Sequence, residues 1–309
     1  MIRDFQDRDA EGIAHIVHLD DPPQALTSAG IRHWVNAQPE RARARVWVAE
    51  EDDKIVGWAE GRLRWSTSTE GLADVWAYVA PAARRAGIGG TLLDRAMSYL
   101  DSIGARVLET WSYTADGAAL LTSRGFRGTG TERMSMLDLA AADTSGLDAL
   151  AAEKAAEGFD LVPLEAVFDR ASDLHAVYSA ASADVPEYFP EDDIRLEEWR
   201  QETLEHPQLT RQGSYVVCAA DRPAALAFLE VDEPARLGAN ELTGTLPEFR
   251  RRGLARLAKL ASIRWAADQG LTAIYTGNAE KNAGILRLNE SLGYRLVTTE
   301  THYVRKTLS

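Results

Sequence analysis

The chain has 309 residues, more than one ordinary domain needs, so two domains are expected. Its 45% hydrophobic and 26% charged residues are those of a folded globular protein, which excludes wholesale disorder. Thirty-four basic against 47 acidic residues leave a net charge of −13, which disfavours non-specific binding to nucleic acid or to anionic membranes.

The opening Met1-Ile2-Arg3-Asp4-Phe5-Gln6-Asp7 lacks the basic-then-apolar order of a signal peptide, and no apolar run approaches the ~20 residues of a membrane helix. A cytoplasmic protein is therefore expected, with no membrane partner. The only cysteine, Cys218, allows neither an internal disulfide nor a cysteine-based zinc site. His15 and His18 form the only close histidine pair, no carboxylate cluster joins them, and no metal is expected.

In chain order, residues 2–5 read as a short strand, and 9–19 as a helix with Ile13, Ile16 and Val17 on one face. Residues 45–50 and 54–64 read as strands joined by a Glu51-Asp52-Asp53 turn. A strand at 73–79 precedes a helix at 88–103, where Leu92, Leu93, Ala96 and Leu100 fall at helical spacing. A strand at 107–111, a helix at 115–123 and a strand at 133–139 complete this half. The order then recurs: strands at 159–162, 214–219, 224–231, 241–245, 273–276 and 302–307, with the main helix at 254–269. The Ala-rich join at 140–158 reads as a linker or a short docking helix. The tryptophans of the first half read as core and interface rather than as a substrate cage.

The recurrence extends to motifs. Arg84-Arg85-Ala86-Gly87-Ile88-Gly89 returns as Arg250-Arg251-Arg252-Gly253-Leu254-Ala255. Ser123-Arg124-Gly125-Phe126 returns as Ser291-Leu292-Gly293-Tyr294, and Val46-Trp47-Val48-Ala49 as Val216-Val217-Cys218-Ala219. Three signals in one order and at nearly one offset argue for two copies of a domain. The negative charge is shared evenly between them.

The chemistry-bearing element is a strand followed at once by Arg-x-x-Gly-x-Gly/Ala and a long helix. Small residues let backbone N–H groups turn toward a pyrophosphate, and the helix N-terminus adds positive potential. Flanking arginines add charge-assisted hydrogen bonds. A Walker A loop would need Gly-Lys-Ser/Thr, and a Rossmann loop Gly-x-Gly-x-x-Gly with a downstream acid; neither copy fits.

With these motifs the sequence resembles the GNAT superfamily of acyl-CoA-dependent N-acyltransferases, in both halves. The layout is similar to that of mycothiol synthase-like two-domain actinobacterial acetyltransferases. The resemblance implies an α/β (α+β) fold: two tandem domains, each a mixed, mostly antiparallel sheet flanked by helices. The expected boundaries are 1–140, a linker at 141–157, and 158–309. It further implies acetyl-CoA as cofactor. Arg84, Arg85, Gly87, Ile88, Gly89, Gly90 and Thr91 would form one pyrophosphate loop. Arg250, Arg251, Arg252, Gly253, Leu254, Ala255 and Arg256 would form the other. Val79, Thr245 and Leu246 would lie on the strand ends that meet the pantetheine. The reaction implied is direct attack of an amine on the thioester, aided by a base and a backbone N–H.

The family often protonates the departing thiolate with a tyrosine five residues before the aromatic of Gly-Phe/Tyr. Here that place holds Leu121 and Asn289. Other signals favour the second copy as catalytic. Glu241, Thr243 and Thr245 alternate on one strand face where several relatives place a glutamate base, whereas the first copy has Val75, Ala77 and Val79. Asn278 and Asn282 follow the next strand, where relatives commonly touch pantetheine. The plainer readings are a solvated carboxylate for Glu241, and a turn and a helix cap for the asparagines.

The segment at 171–213 would cover the acceptor site. Its acidic and aromatic content suits a cationic amine, with Asp184, Glu187 and Tyr188 as candidate contacts. Most of its acids also fit the wet face of a helix. The expected activity is acetyl transfer to a small-molecule amine by a monomer or homodimer. A non-catalytic acyl-CoA-binding protein and a protein or peptide N-acetyltransferase are the alternatives.

Overall fold

A computed structural model describes residues 1–19, 24–183, 185 and 189–307. It divides into two compact units: Met1–Glu132 with Thr298–Ser309, and Arg133–Val297.

The first unit holds β1 (Ile2–Asp4), α1 (Ala10–His18), α2 (Ser28–Asn36), β2 (Arg45–Glu51), β3 (Lys54–Leu63) and β4 (Leu72–Val79). After these come α3 (Ile88–Ser102), β5 (Val107–Ser112), α4 (Ala115–Ser123) and the start of β6 (Arg127–Asp138). The second unit takes the end of β6, then α5 (Leu147–Ala156), β7 (Phe159–Pro163), α6 (Ala171–Ser182) and α7 (Leu196–Trp199). It continues with β8 (Tyr215–Ala219), β9 (Arg222–Asp232), β10 (Leu237–Thr245), α8 (Leu254–Asp268), β11 (Ala273–Ala279) and α9 (Ala283–Ser291). The last strand, β12 (Arg295–Lys306), begins in the second unit and passes into the first.

In the first unit the strand order is β1-β2-β3-β4-β5-β12. All pairs are antiparallel except β4 and β5, which run parallel for only Leu72–Asp74 against Val107–Glu109 and then part. The apolar stripe of α3, including Leu92, Leu93, Ala96 and Leu100, packs on one face of this sheet with Trp47, Ala59 and Val75. Helices α1 and α2 cover the other face through Ile13, Val17 and Ile31, against Val48 and Trp58.

The second unit repeats the plan as β6-β11-β10-β9-β8-β7. Its parallel pair is equally short, Leu237–Ala239 against Ala273–Tyr275, and β10 carries a bulge between Asn240 and Thr243. Leu257, Ala258 and Ala261 of α8 fill one face. Leu174 and Val177 of α6, with Trp199, fill the other. A mixed, mostly antiparallel sheet flanked by helices is thus formed twice.

The chain departs from the expected head-to-tail division at its end. The strand expected at 302–307 pairs with β5, Thr301 opposite Ser112 and Lys306 opposite Val107. It is held there by burial: Tyr303 joins the first core, and His302, 0% exposed, has its Nε2 2.9 Å from Glu109 Oε2. The expected linker contains α5, whose Leu147, Leu150 and Ala151 dock on the second core. Strand β10 starts before the expected 241, because Gly238 lets Leu229 and Ile274 close over a stretch with little β-propensity.

Candidate active sites

Both Arg-x-x-Gly-x-Gly/Ala loops take one backbone path. Arg85 and Arg251 have φ of 68° and 61°, and Gly87 and Gly253 have φ of 84° and 80°. The glycine is required because a side chain is strained in this left-handed region. The path leaves the N–H groups of residues 85–90 and 251–256 without a protein acceptor among the described residues. Each row of donors opens a helix of 15 residues. It is a cradle for an anion, so the backbone present fits a pyrophosphate.

The arginine side chains do other work. Arg84 Nε donates to Val79 O at 3.0 Å, and Arg250 Nε to Thr245 O at 3.2 Å, so each pins the end of the preceding strand. Arg85 pairs with Asp116 at 2.6 Å, Arg252 lies over Phe159, and Arg256 donates to Ser291. Thr91 Oγ1 donates to Gly87 O and closes the first turn of α3. Ile88 and Leu254 turn into their units' cores, and Ala255 opens the helix beside Leu254. Among the described residues the Arg251 side chain makes no hydrogen bond or ion pair; its backbone supplies the positive φ.

Because β4 and β5 part, the backbone of β4 is left open on one side. Ala80 N donates to Val56 O, so by alternation the N–H of Val79 faces the gap. Leu246 N likewise donates to Ala224 O, which turns Leu246 toward β9 and Thr245 toward the gap in the second unit. In the first unit this gap widens into a cleft of about 730 Å³. Val79, Arg84, Arg85, Gly87, Gly89 and Gly90 line it, with the stacked Trp76 and Trp111. Glu300 of β12 also lines it, and burial followed by the charge of Glu132 pushes that carboxyl up to about 7. The sequence reading missed Glu300, since nothing local ties 298–306 to the first copy.

In the second unit Glu241 lies on β10 beyond the last residue paired to β11. Tyr178 of α6 donates its hydroxyl to Glu241 Oε1 at 2.9 Å. Glu241 Oε2 and Thr243 Oγ1 are shielded from solvent and have no hydrogen-bond partner among the described residues. Burial, then the charge of Glu230, pushes Glu241 up to about 8; the Tyr178 hydrogen bond opposes this and loses. Glu230, 3.3 Å from His206 Nδ1, is itself pushed to about 7 by burial and Glu202. The solvated-carboxylate reading of Glu241 is therefore replaced by a half-buried side chain whose Oε2 is shielded from solvent.

Asn289 and Asn278 meet, Asn289 Nδ2 donating to Asn278 Oδ1 at 2.7 Å. Lys259 of α8, which the sequence reading passed over, donates to Asn289 Oδ1 at 2.7 Å. Burial alone pushes the Lys259 amine down to about 7. The signal for Lys259 was the repeat itself: it stands where the first copy has Leu93. Asn282 is a helix cap, its Oδ1 accepting from Ile285 N. Asp184, Glu187 and Tyr188 lie outside the described residues. Of the aromatics near them, Trp199 is interior at 0% exposure and Tyr178 packs on it, so neither forms an open cage. Arg200 pairs with Glu197 and Glu205, as on a wet helix face.

The Acetyltransferase (GNAT) domain family matches residues 42–128, and the Acetyltransferase (GNAT) family matches residues 174–294. The chain therefore belongs to the GNAT acetyltransferases and carries two such domains in tandem. It is an N-acetyltransferase, and enzymes of this family generally use acetyl-CoA. It is similar to a mycothiol acetyltransferase of Rhodococcus opacus (strain B4), 28% identical over 271 residues that span 84% of this chain and 82% of that protein. Among solved structures it is similar to a tandem GNAT protein from the clavulanic acid biosynthesis pathway, with TM-score 0.71, 18% identity, and coverage of 100% and 99% of the two chains. It is also similar to a GCN5-related N-acetyltransferase from Sphaerobacter thermophilus, with TM-score 0.67, 16% identity, and coverage of 99% and 95%. These two likenesses concern the fold. Among the described residues no helix is long and apolar enough to cross a membrane. No group of three or more His, Cys, Asp or Glu there is placed to hold a metal ion.

Proposed function

We propose that the second unit transfers an acetyl group from acetyl-CoA to the primary amine of a small cationic molecule, with Glu241 as base. The observation that carries this reading is the shielded Oε2 of Glu241, unpartnered among the described residues, beside the open end of β10 on the strand that leads into the anion cradle. The N–H groups of 251–256 would hold the pyrophosphate, and Thr245 would meet the pantetheine arm, whereas Leu246 is turned toward β9. Acetyl-CoA supplies an activated acyl group on a thiol leaving group. Glu241 takes the proton that the attacking amine must lose. Tyr178 holds the Glu241 carboxylate in place through Oε1 and leaves Oε2 for the amine. The acids Glu191, Glu202 and Glu230 supply a field that favours an ammonium ion. Similarity to a mycothiol acetyltransferase supports a small-molecule acceptor.

A second reading rests on the cleft of the first unit, where Glu300 could serve the same purpose. Coenzyme A release over a panel of amines and peptides separates the two. Under the main reading Glu241→Gln lowers kcat/KM about 10²–10³-fold and Gly253→Val abolishes turnover, while Glu300→Gln and Gly87→Val retain it. The reverse pattern moves the chemistry to the first unit. Since only ionised Glu241 accepts a proton, kcat/KM should rise with pH through about 8.

A further inference from the structure

Lys259 is 1% exposed, and among the described residues Asn289 is its one hydrogen-bond partner. Among the described residues no carboxylate pairs with it, and its Nζ lies 4.7 Å from the centre of the Tyr294 ring. Burying an amine in this way is costly. The first unit shows that the fold does not need it, because Leu93 and Leu121 fill the matching places in that core. The two copies differ at both of these places, and the second has Asn278 where the first has Ser112.

The direction of the chain of hydrogen bonds follows from the lysine. As an ammonium ion Lys259 has three donors and no acceptor, and Asn289 turns its Oδ1 toward Nζ. The Asn289 amide NH2 then faces Asn278 and can only be taken by Oδ1. Asn278 Nδ2 is left as the outward end, donating to no described protein group. Asn278 stands on β11 past Tyr275, the last residue paired to β10, and so flanks the gap. Each link polarises the next in one sense and places positive charge at that end.

We propose that Lys259, acting through Asn289, orients Asn278 Nδ2–H as the donor that stabilises the departing thiolate, in place of the tyrosine both copies lack. This rests on the reading that the second unit binds acetyl-CoA. In the step, the amine nitrogen bonds to the acetyl carbon as the C–S bond breaks. The bonding pair stays on sulfur, the amine proton passes to Glu241, and the sulfur anion accepts from Asn278 before water protonates it. Lys259 is a positioning residue.

The test reads the thiol rather than the reaction. The thiol pKa of bound coenzyme A is measured from thiolate ultraviolet absorbance, in a Gly87→Glu background that places a like charge in the first cradle. The expected result is a thiol pKa about one unit below that of free coenzyme A. Lys259→Met and Asn278→Ala should each return it to the free value. Asn278 is half-buried, so its variant stays informative if Lys259→Met does not fold. An equal thiol pKa in the parent and Asn278→Ala overturns the proposal alone. Loss of coenzyme A binding in the Gly87→Glu parent overturns the second-unit reading and the proposal with it.

Discussion

At the level of single residues, Glu241 carries a cost that can be measured apart from catalysis. Its carboxyl ionises near pH 8 in the fold, against about 4.5 when exposed. Below 4.5 both states are protonated and the side chain is neutral to stability. Between 4.5 and 8 the unfolded chain has lost a proton that the folded one keeps, so stability falls as pH rises. Glu241→Gln keeps an acceptor for Tyr178 and removes the titration. It should stabilise the protein by about 1–3 kcal/mol at pH 8 and by nothing at pH 4, as read by urea unfolding at the two pH values. Alternation along the strand was enough to single out Glu241. It could not show burial, which comes from α6 lying across β10.

At the level of elements, the second unit differs from the first in how closely a helix approaches the site strand. A Cβ on Gly244 would collide with Ala181 of α6, and this contact brings Tyr178 within reach of Glu241. In the first unit the matching strand carries Tyr78, stacked on Trp58 at 5.0 Å. Gly244→Ala should therefore cost about 1–3 kcal/mol by overpacking, and Ala181→Gly should restore most of it in the double variant. Thermal melts of the single and double variants check both. The two cradles were legible because their conformation is local: a glycine at positive φ and a helix start are written in adjacent residues. The α6 approach was not, since it depends on a small residue on each of two distant elements. Lys259 was hidden for a related reason. One lysine in a helix reads as solvated until the neighbouring elements are placed around it.

For the whole molecule, the unit boundaries do not follow the repeat. Residues 298–306 complete the first sheet beside β5, where a buried set of charges receives them. Arg62 and Arg64 bind Asp74, Arg64 also meets Glu109, and His302 bridges Glu109 and the Thr129 hydroxyl. Burial holds His302 down at about 4, so it is neutral at ordinary pH. A chain truncated after Val297 would leave β5 an open edge and Glu109 short of a partner. Calorimetry should then show the first unit's transition lowered by about 10 °C or more, with that of the second unit in place. A single unchanged transition would mean that the last strand contributes nothing to the first unit.

The repeated motifs, the α/β pattern, the two cradles and the candidate base were all present in the linear chain, because each depends on neighbours a few positions apart. Hydrophobic spacing sets helices and strands, and glycine placement sets the loops. Tertiary structure decided which unit receives the last strand, that Glu241 Oε2 is shielded from solvent, that Glu300 enters the first cleft, and that Lys259 finds Asn289. Each of these brings together residues far apart in sequence, and their energies arise from desolvation and packing that no local pattern encodes.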